Sequence, residues 1–195
     1  MVDVGLSDGH GEGHRAKVLE SGAVAVSPVG WEATVGRASF TRPADTNNYA
    51  ANDVVASTVS DTGTTPLLGL TLARANGVGG YITSWRVTTN NTSWVAALRV
   101  DLYTVAAPTT ALTGDNVASA PKFANDGEFI ASFELPSFTT PTGSNLRRAS
   151  RDDLRIPFKP AAGDTKVFFR YVLLAAETNE ASGQAFNTVA MSDGN

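Results

Sequence analysis

The sequence predicts an all-β protein, an antiparallel β-sandwich of jelly-roll type carrying an extended N-terminal arm. Three observations point there. Several segments alternate apolar and polar residues with period two, most clearly Trp94, Ala96, Leu98, Val100 and Leu102 against Ser93, Val95, Ala97, Arg99, Asp101 and Tyr103. That is the pattern of a half-buried strand. No window sustains a period near 3.6, so little helix is expected, a single turn over Asn145–Ser150 at most. Glycine, proline and asparagine clusters punctuate the apolar segments at intervals suited to a sandwich, and no internal repeat suggests a propeller or solenoid.

Residues 1–33 are read as the arm and 34–195 as the body. Gly5, Gly9, Gly11, Gly13, Gly22 and Gly30 crowd the first segment. Such a run loses much entropy on ordering and offers little apolar surface in return. Only Ala16–Val26 has strand character, as two pieces broken at Ser21-Gly22, the outline of a hairpin. A lone hairpin is marginal in water, so an arm of this kind gains order by lying on a neighbour; a disordered leader is the alternative. Lys17, Val18, Leu19, Val24 and Val26 are the arm residues expected to make that contact.

The stretch Ala38–Ser57 joins arm to body. It starts as a strand, passes Arg42-Pro43, where proline fixes φ and removes a donor, and runs through the turn-forming Asp45-Thr46-Asn47-Asn48. Arg42, Pro43 and Asp45 are read as shaping the turn that aims the arm. Beyond it come Leu68, Leu70 and Leu72 on one face of a strand, then Tyr81–Thr88 with Tyr81, Trp85 and Val87 on one face. Ser93–Val105 follows as one strand of roughly 40 Å. Later strands are Glu128–Leu135 (Phe129, Ala131, Phe133 and Leu135 inward), Leu154–Phe158, Lys166–Ala176 and Gln184–Met191. Lys166–Ala176 is apolar on both faces, so it is either central or meets a partner chain.

Composition removes several function classes. The 195 residues include no cysteine, which excludes disulfides, thiolate metal sites and a thiol nucleophile. A net charge of −4 and a pI near 5.1 disfavour a general nucleic-acid or anionic-membrane binder. No apolar run approaches the length of a membrane span, and no signal peptide is recognisable.

Chemistry-bearing groups are sparse. The two histidines lie in Gly9-His10-Gly11-Glu12-Gly13-His14, where glycines leave potential ligands unordered and the zincin spacing is absent. With no other histidine, the usual nucleophile–base pairs are nearly excluded. Asp152-Asp153 and Glu128/Glu134 are the only grouped carboxylates, better read as solvated charges than as a glycosidase pair. Asp45, Asn47, Asp53 and Asp61 lack the dense alternation of a calcium loop. Gly77-Val78-Gly79-Gly80 precedes a strand rather than a helix, so it is not a phosphate cradle. No enzyme activity, cofactor or metal is therefore expected. Arg147, Arg148, Arg151 and Arg155 form the one basic cluster, either a solvated loop or a contact patch for an acidic partner.

The stretch Phe40-Thr41-Arg42-Pro43-Ala44-Asp45-Thr46, followed by Tyr49-Ala50-Ala51-Asn52-Asp53-Val54-Val55, resembles the signature of a family of tailed-bacteriophage virion proteins. Asn52 stands where that family commonly has glycine, a tolerable exchange if the position is left-handed. The likeness continues through Ala73–Gly77, Gly80–Ile82, Leu98–Tyr103, Asp115-Asn116, Asp153–Phe158 and Ser182–Phe186. The resemblance implies a decoration or cement protein on the capsid exterior, made in the host cytoplasm. Its implied partners are the major capsid protein and further copies of itself, as a homotrimer, without nucleic acid or membrane. A tail, baseplate or receptor-binding module that contacts host glycan through exposed Trp31, Trp85 or Trp94 remains open beside it, as does a carbohydrate-active enzyme.

Overall fold

The computed structural model describes residues 4–7, 13–18, 24–25, 33–57, 67–120, 123–178 and 181–194, the first three segments and Phe123 as backbone alone. The chain divides into two compact units, Met1–Trp31 and Glu32–Asn195. In the first, β1 (Val4–Ser7) and β3 (Val24–Ala25) flank β2 (Gly13–Val18) in an antiparallel sheet. The hairpin expected in Ala16–Val26 is present, with Lys17 opposite Ala25 and Val18 opposite Val24. The strand Val4–Ser7 was not expected. Val4 and Leu6 alternate with Gly5 and Ser7, but over four residues in a glycine-rich run that is too short a pattern to read as a strand.

The second unit is an antiparallel β-sandwich. Its strands are β4 (Ala33–Thr41), β5 (Val54–Val55), β6 (Leu68–Thr71), β7 (Gly80–Thr89), β8 (Leu98–Tyr103), β9 (Phe129–Leu135), β10 (Arg147–Arg151), β11 (Ile156–Phe158), β12 (Lys166–Leu173) and β13 (Ala185–Gly194). One sheet has the order β10-β7-β13-β4 and the other β5-β12-β8-β9. β10 and β11 pair successive parts of one edge of β7, and β5 and β6 do the same along β12. Each pair is thus one interrupted strand. Numbered that way, the described body has sheets of order 6-3-8-1 and 2-7-4-5, the connectivity of a jelly roll.

The core between the sheets is aromatic. Phe40 stacks on Phe186 at 5.1 Å, and Trp94 meets Phe186, Tyr49 and Phe138 edge-on. Trp85 on β7 meets Phe133 of β9 and Phe169 of β12, joining the two sheets. Leu70, Leu72, Leu98, Val100 and Leu102 fill the spaces between, all without solvent exposure. Where the sheets approach most closely, Gly36 of β4 faces β6: a Cβ there would lie 2.9 Å from Leu72 Cδ2 and 3.0 Å from the Thr71 carbonyl oxygen. Gly36→Ala is therefore expected to cost about 1–3 kcal/mol by overpacking, read as a lowered urea midpoint at unchanged slope.

Several strand expectations are corrected, each for a local reason. Tyr81 does not share a face with Trp85 and Val87, because Met191 pairs with Ser84 but Ser192 with Ile82, leaving Thr83 as an extra residue. This bulge reverses the alternation, so Ile82 points inward and Tyr81 outward. A second bulge places Ile130 against the core and Phe129 outside, contrary to the inward Phe129 expected. Ser93–Val105 is not one strand, although Trp94, Ala96, Leu98, Val100 and Leu102 are buried as expected. Only Leu98–Tyr103 is strand, because the Val95 and Ala96 N–H groups donate to the buried Glu177 carboxylate at 2.7 and 2.8 Å instead of to a neighbouring strand. Asn145–Ser150 forms no helical turn; Arg147–Arg151 is strand β10, and the 3-10 turn lies at Phe123–Glu128.

The two-sided strand is central. The outward face of β12 is covered by the chain itself, with Phe168 packed among Leu67, Tyr103 and Leu112, so its apolar character needs no partner chain.

Candidate functional site

Among the described residues, two groupings of charged side chains involve the β10-β7-β13-β4 sheet: a buried lock where β4 ends and an open outer face. The lock forms where β4 ends. The Arg42 N–H donates to the Gln184 carbonyl at 2.9 Å, which fixes the chain direction. Its guanidinium, fully buried, donates to the Tyr49 hydroxyl, to Asp45 Oδ1 at 3.3 Å and to Asp115 Oδ2 at 3.4 Å, and lies 4.4 Å over the Tyr49 ring. Asp115 Oδ1 accepts from the Tyr49 hydroxyl at 2.6 Å and from the Ala56 N–H at 2.7 Å. Burial pushes the Asp115 carboxyl up, against the lowering effects of the Ala56 N–H, Tyr49 and Arg42. Burial also raises the Tyr49 phenol, reinforced by the nearby Asp115 charge.

These groups tie the end of β4 to the Asp115 loop. Arg42, Pro43 and Asp45 were expected at the junction of arm and body. The boundary between the two compact units falls at Trp31/Glu32, with all of β4 between it and Arg42, so the three residues act inside the body. Pro43 leads out of β4, and Asp45 Oδ1 also accepts the Asn47 N–H at 3.2 Å, closing a local turn. Asn52 has φ 72°, the left-handed conformation anticipated for it.

The open face has a different character. Arg86 of β7 lies opposite Ser150 on one side and Val189 on the other, and Val189 lies opposite Arg37 of β4. Arg37 and Arg86 thus stand two strands apart in one row, roughly 10 Å between backbones. Arg148 of β10 occupies the next row, opposite Thr88. All three are exposed, and among the described residues none of the three side chains makes an ion pair. Val35 (45 % exposed) and Met191 (39 %) sit among them. Asp152 reaches the edge of the same groove, one carboxylate against three guanidinium groups.

The basic cluster expected from the sequence divides in space. Arg148 joins the open face. Arg147 turns to the backbone, donating to the Thr92 carbonyl at 2.7 Å and the Phe138 carbonyl at 3.3 Å. Arg151 pairs with Asp153 at 3.1 Å, and Arg155 lies over the Tyr81 ring. Arg37 and Arg86, absent from the sequence reading, take their places. Of the arm residues, Lys17 and Val18 lie on β2 and Val24 on β3; Leu19 and Val26 lie outside the described residues.

The remaining candidates are placed as follows. His14 lies on β2, while His10, Trp31 and Asp61 are outside the described residues. No group of three or more metal-ligating side chains occurs among the described residues. Glu128 is committed to Thr109, Asp53 accepts the Ala50 N–H at 2.7 Å, and Glu134 is exposed. Trp85 and Trp94 are fully buried, Trp94 as the alternation around it requires, so neither is the exposed aromatic that a glycan-binding reading needs.

The fold and the open face define a jelly-roll sandwich with one polarised outer sheet. No protein-family model matches the chain, and no curated protein or solved structure matches it.

Proposed function

We propose that this chain is a non-enzymatic structural protein of a tailed-bacteriophage virion, a decoration protein that clamps adjacent major capsid subunits on the exterior of the mature head. The observation that carries this reading is the polarised outer face of the β10-β7-β13-β4 sheet. A chain of net charge −4 gathers Arg37, Arg86 and Arg148, unpaired among the described residues, around exposed Val35 and Met191. Such a face suits a partner surface rich in carboxylates, with apolar contact at its centre. The motif resemblance supports the same reading. Jelly rolls serve both viral capsids and lectins, so the fold adds analogy alone.

In this mechanism the face and the N-terminal unit bridge neighbouring capsid subunits. Contacts available only on the expanded shell stabilise that state by mass action, against the pressure of packaged DNA. A homotrimer matches the local three-fold positions of an icosahedral lattice. The test is co-sedimentation with expanded shells of the same virus. The triple variant Arg37→Glu/Arg86→Glu/Arg148→Glu is expected to lose about tenfold or more in affinity at physiological salt. Occupancy equal to that of the wild type overturns the reading.

A further inference from the structure

The opposite sheet carries a separate cleft of about 310 Å³, lined by Arg99, Asp101, Tyr103, Leu112, Asn125, Asp126, Phe129 and Ser132. We propose that this cleft binds a neutral saccharide through Phe129, Asp126 and Ser132, an activity independent of the capsid contact proposed above.

The floor comes from the outward residues of β8 and β9, where Asp101 lies opposite Ser132 and Tyr103 opposite Phe129. Phe129 reaches this face only because of the bulge at Ile130. Bulges are a device for re-aiming a side chain next to a site. Here the bulge turns a phenylalanine outward, 38 % exposed and edge-on to Tyr103 at 5.6 Å. A half-open aromatic ring braced by a second ring offers a flat apolar platform for the C–H face of a pyranose.

The walls are fixed before any ligand arrives. Arg99 grips Asp101 through Nε at 2.8 Å and a second nitrogen at 3.3 Å, and Arg170 reaches the same carboxylate at 3.3 Å. Asn125 spends both ends of its amide on Thr110, accepting from its N–H and donating to its carbonyl, each at 2.8 Å. Glu128 holds the Thr109 N–H at 2.9 Å and its hydroxyl at 2.5 Å. These bonds clamp the 109–112 loop to the 3-10 turn and set the rim.

What is left uncommitted identifies the ligand. The Asp126 carboxylate and the Ser132 hydroxyl are exposed, and no other described side chain bonds them. An acceptor-only carboxylate and a hydroxyl beside an aromatic platform complement a molecule with many O–H donors and an apolar face. Arg99 and Arg170 share the single carboxylate of Asp101, and Asp126 supplies the balancing negative charge. The cleft thus has no net positive charge to draw an acidic sugar or a phosphate.

The test uses the intact protein and needs no capsid, so its outcome is separate from that of the capsid reading. Saturation-transfer NMR and calorimetry are run with methyl glucosides, methyl galactosides, methyl N-acetylglucosaminides and, as the acidic control, sialyllactose. Saturable millimolar or tighter binding of at least one neutral glycoside is expected. Phe129→Ala and Asp126→Ala, both at exposed positions, are each expected to weaken it about tenfold, while Lys159→Ser, exposed just after β11 of the other sheet, leaves it unchanged. No saturable neutral glycoside, binding indifferent to both variants, or tighter binding of sialyllactose overturns the proposal.

Discussion

Trp85→Ala is expected to lower the stability of the body by about 3–5 kcal/mol, a large share of the roughly 5–15 kcal/mol available to a domain. Trp85 is fully buried and belongs to one sheet, while its two ring partners, Phe133 and Phe169, belong to the other. Removing it opens a cavity at the seam of the sandwich. It also removes a hydrogen bond: the indole N–H donates to the Tyr171 hydroxyl at 3.1 Å, and that hydroxyl shares a 2.6 Å bond with Thr188. Burial raises the Tyr171 phenol, so it stays neutral and keeps needing partners. Trp85→Phe separates the two effects. It keeps most of the ring volume and is expected to cost about 1–3 kcal/mol, chiefly from the lost donor. Urea unfolding measures both; a Trp85→Ala loss under 1 kcal/mol would sink the account of Trp85 as the tie between sheets.

The sequence carried the sandwich because alternation is a backbone property, and it survives wherever a strand is regular. Leu70 and Leu72, and Trp94, Ala96, Leu98, Val100 and Leu102, are buried as their spacing requires. Reading failed where one residue is inserted. Neither Thr83 nor Ile130 differs chemically from its strand neighbours, so no residue type announces the bulge; only the register of the partner strand reveals it. Glu177 is a further case. A lone glutamate reads as solvated, yet this one replaces a strand partner for Val95 and Ala96 from 81 residues away or more.

The charged face was illegible for a topological reason. Arg147, Arg148, Arg151 and Arg155 are neighbours in sequence, so they look like a patch; strand geometry sends them in different directions. Arg37 and Arg86 are far apart in sequence, and each alone reads as a solvated strand residue. They share a row only because β13 inserts between β4 and β7, the long-range closure of a jelly roll. No local window contains that pairing.

The motifs that carried the family resemblance have a physical counterpart in the lock around Arg42. Arg42 and Asp45 from one motif segment, Tyr49 from the next and Asp115 from a third meet in one largely buried network. Arg42→Met is expected to cost about 3–5 kcal/mol, since it strands the Asp115 carboxylate in a site where both side chains are fully shielded from solvent. The Ala56 N–H and the Tyr49 hydroxyl still bond that carboxylate, but neither supplies charge. Asp115→Asn in the same background removes the stranded charge and keeps an oxygen for both donors. The double variant Arg42→Met/Asp115→Asn is therefore expected to be more stable than the sum of the single losses by about 0.5–3 kcal/mol. Additive losses would mean that Arg42 acts through packing alone, over the Tyr49 ring, and that the ion pair contributes nothing to holding the end of β4 against the Asp115 loop.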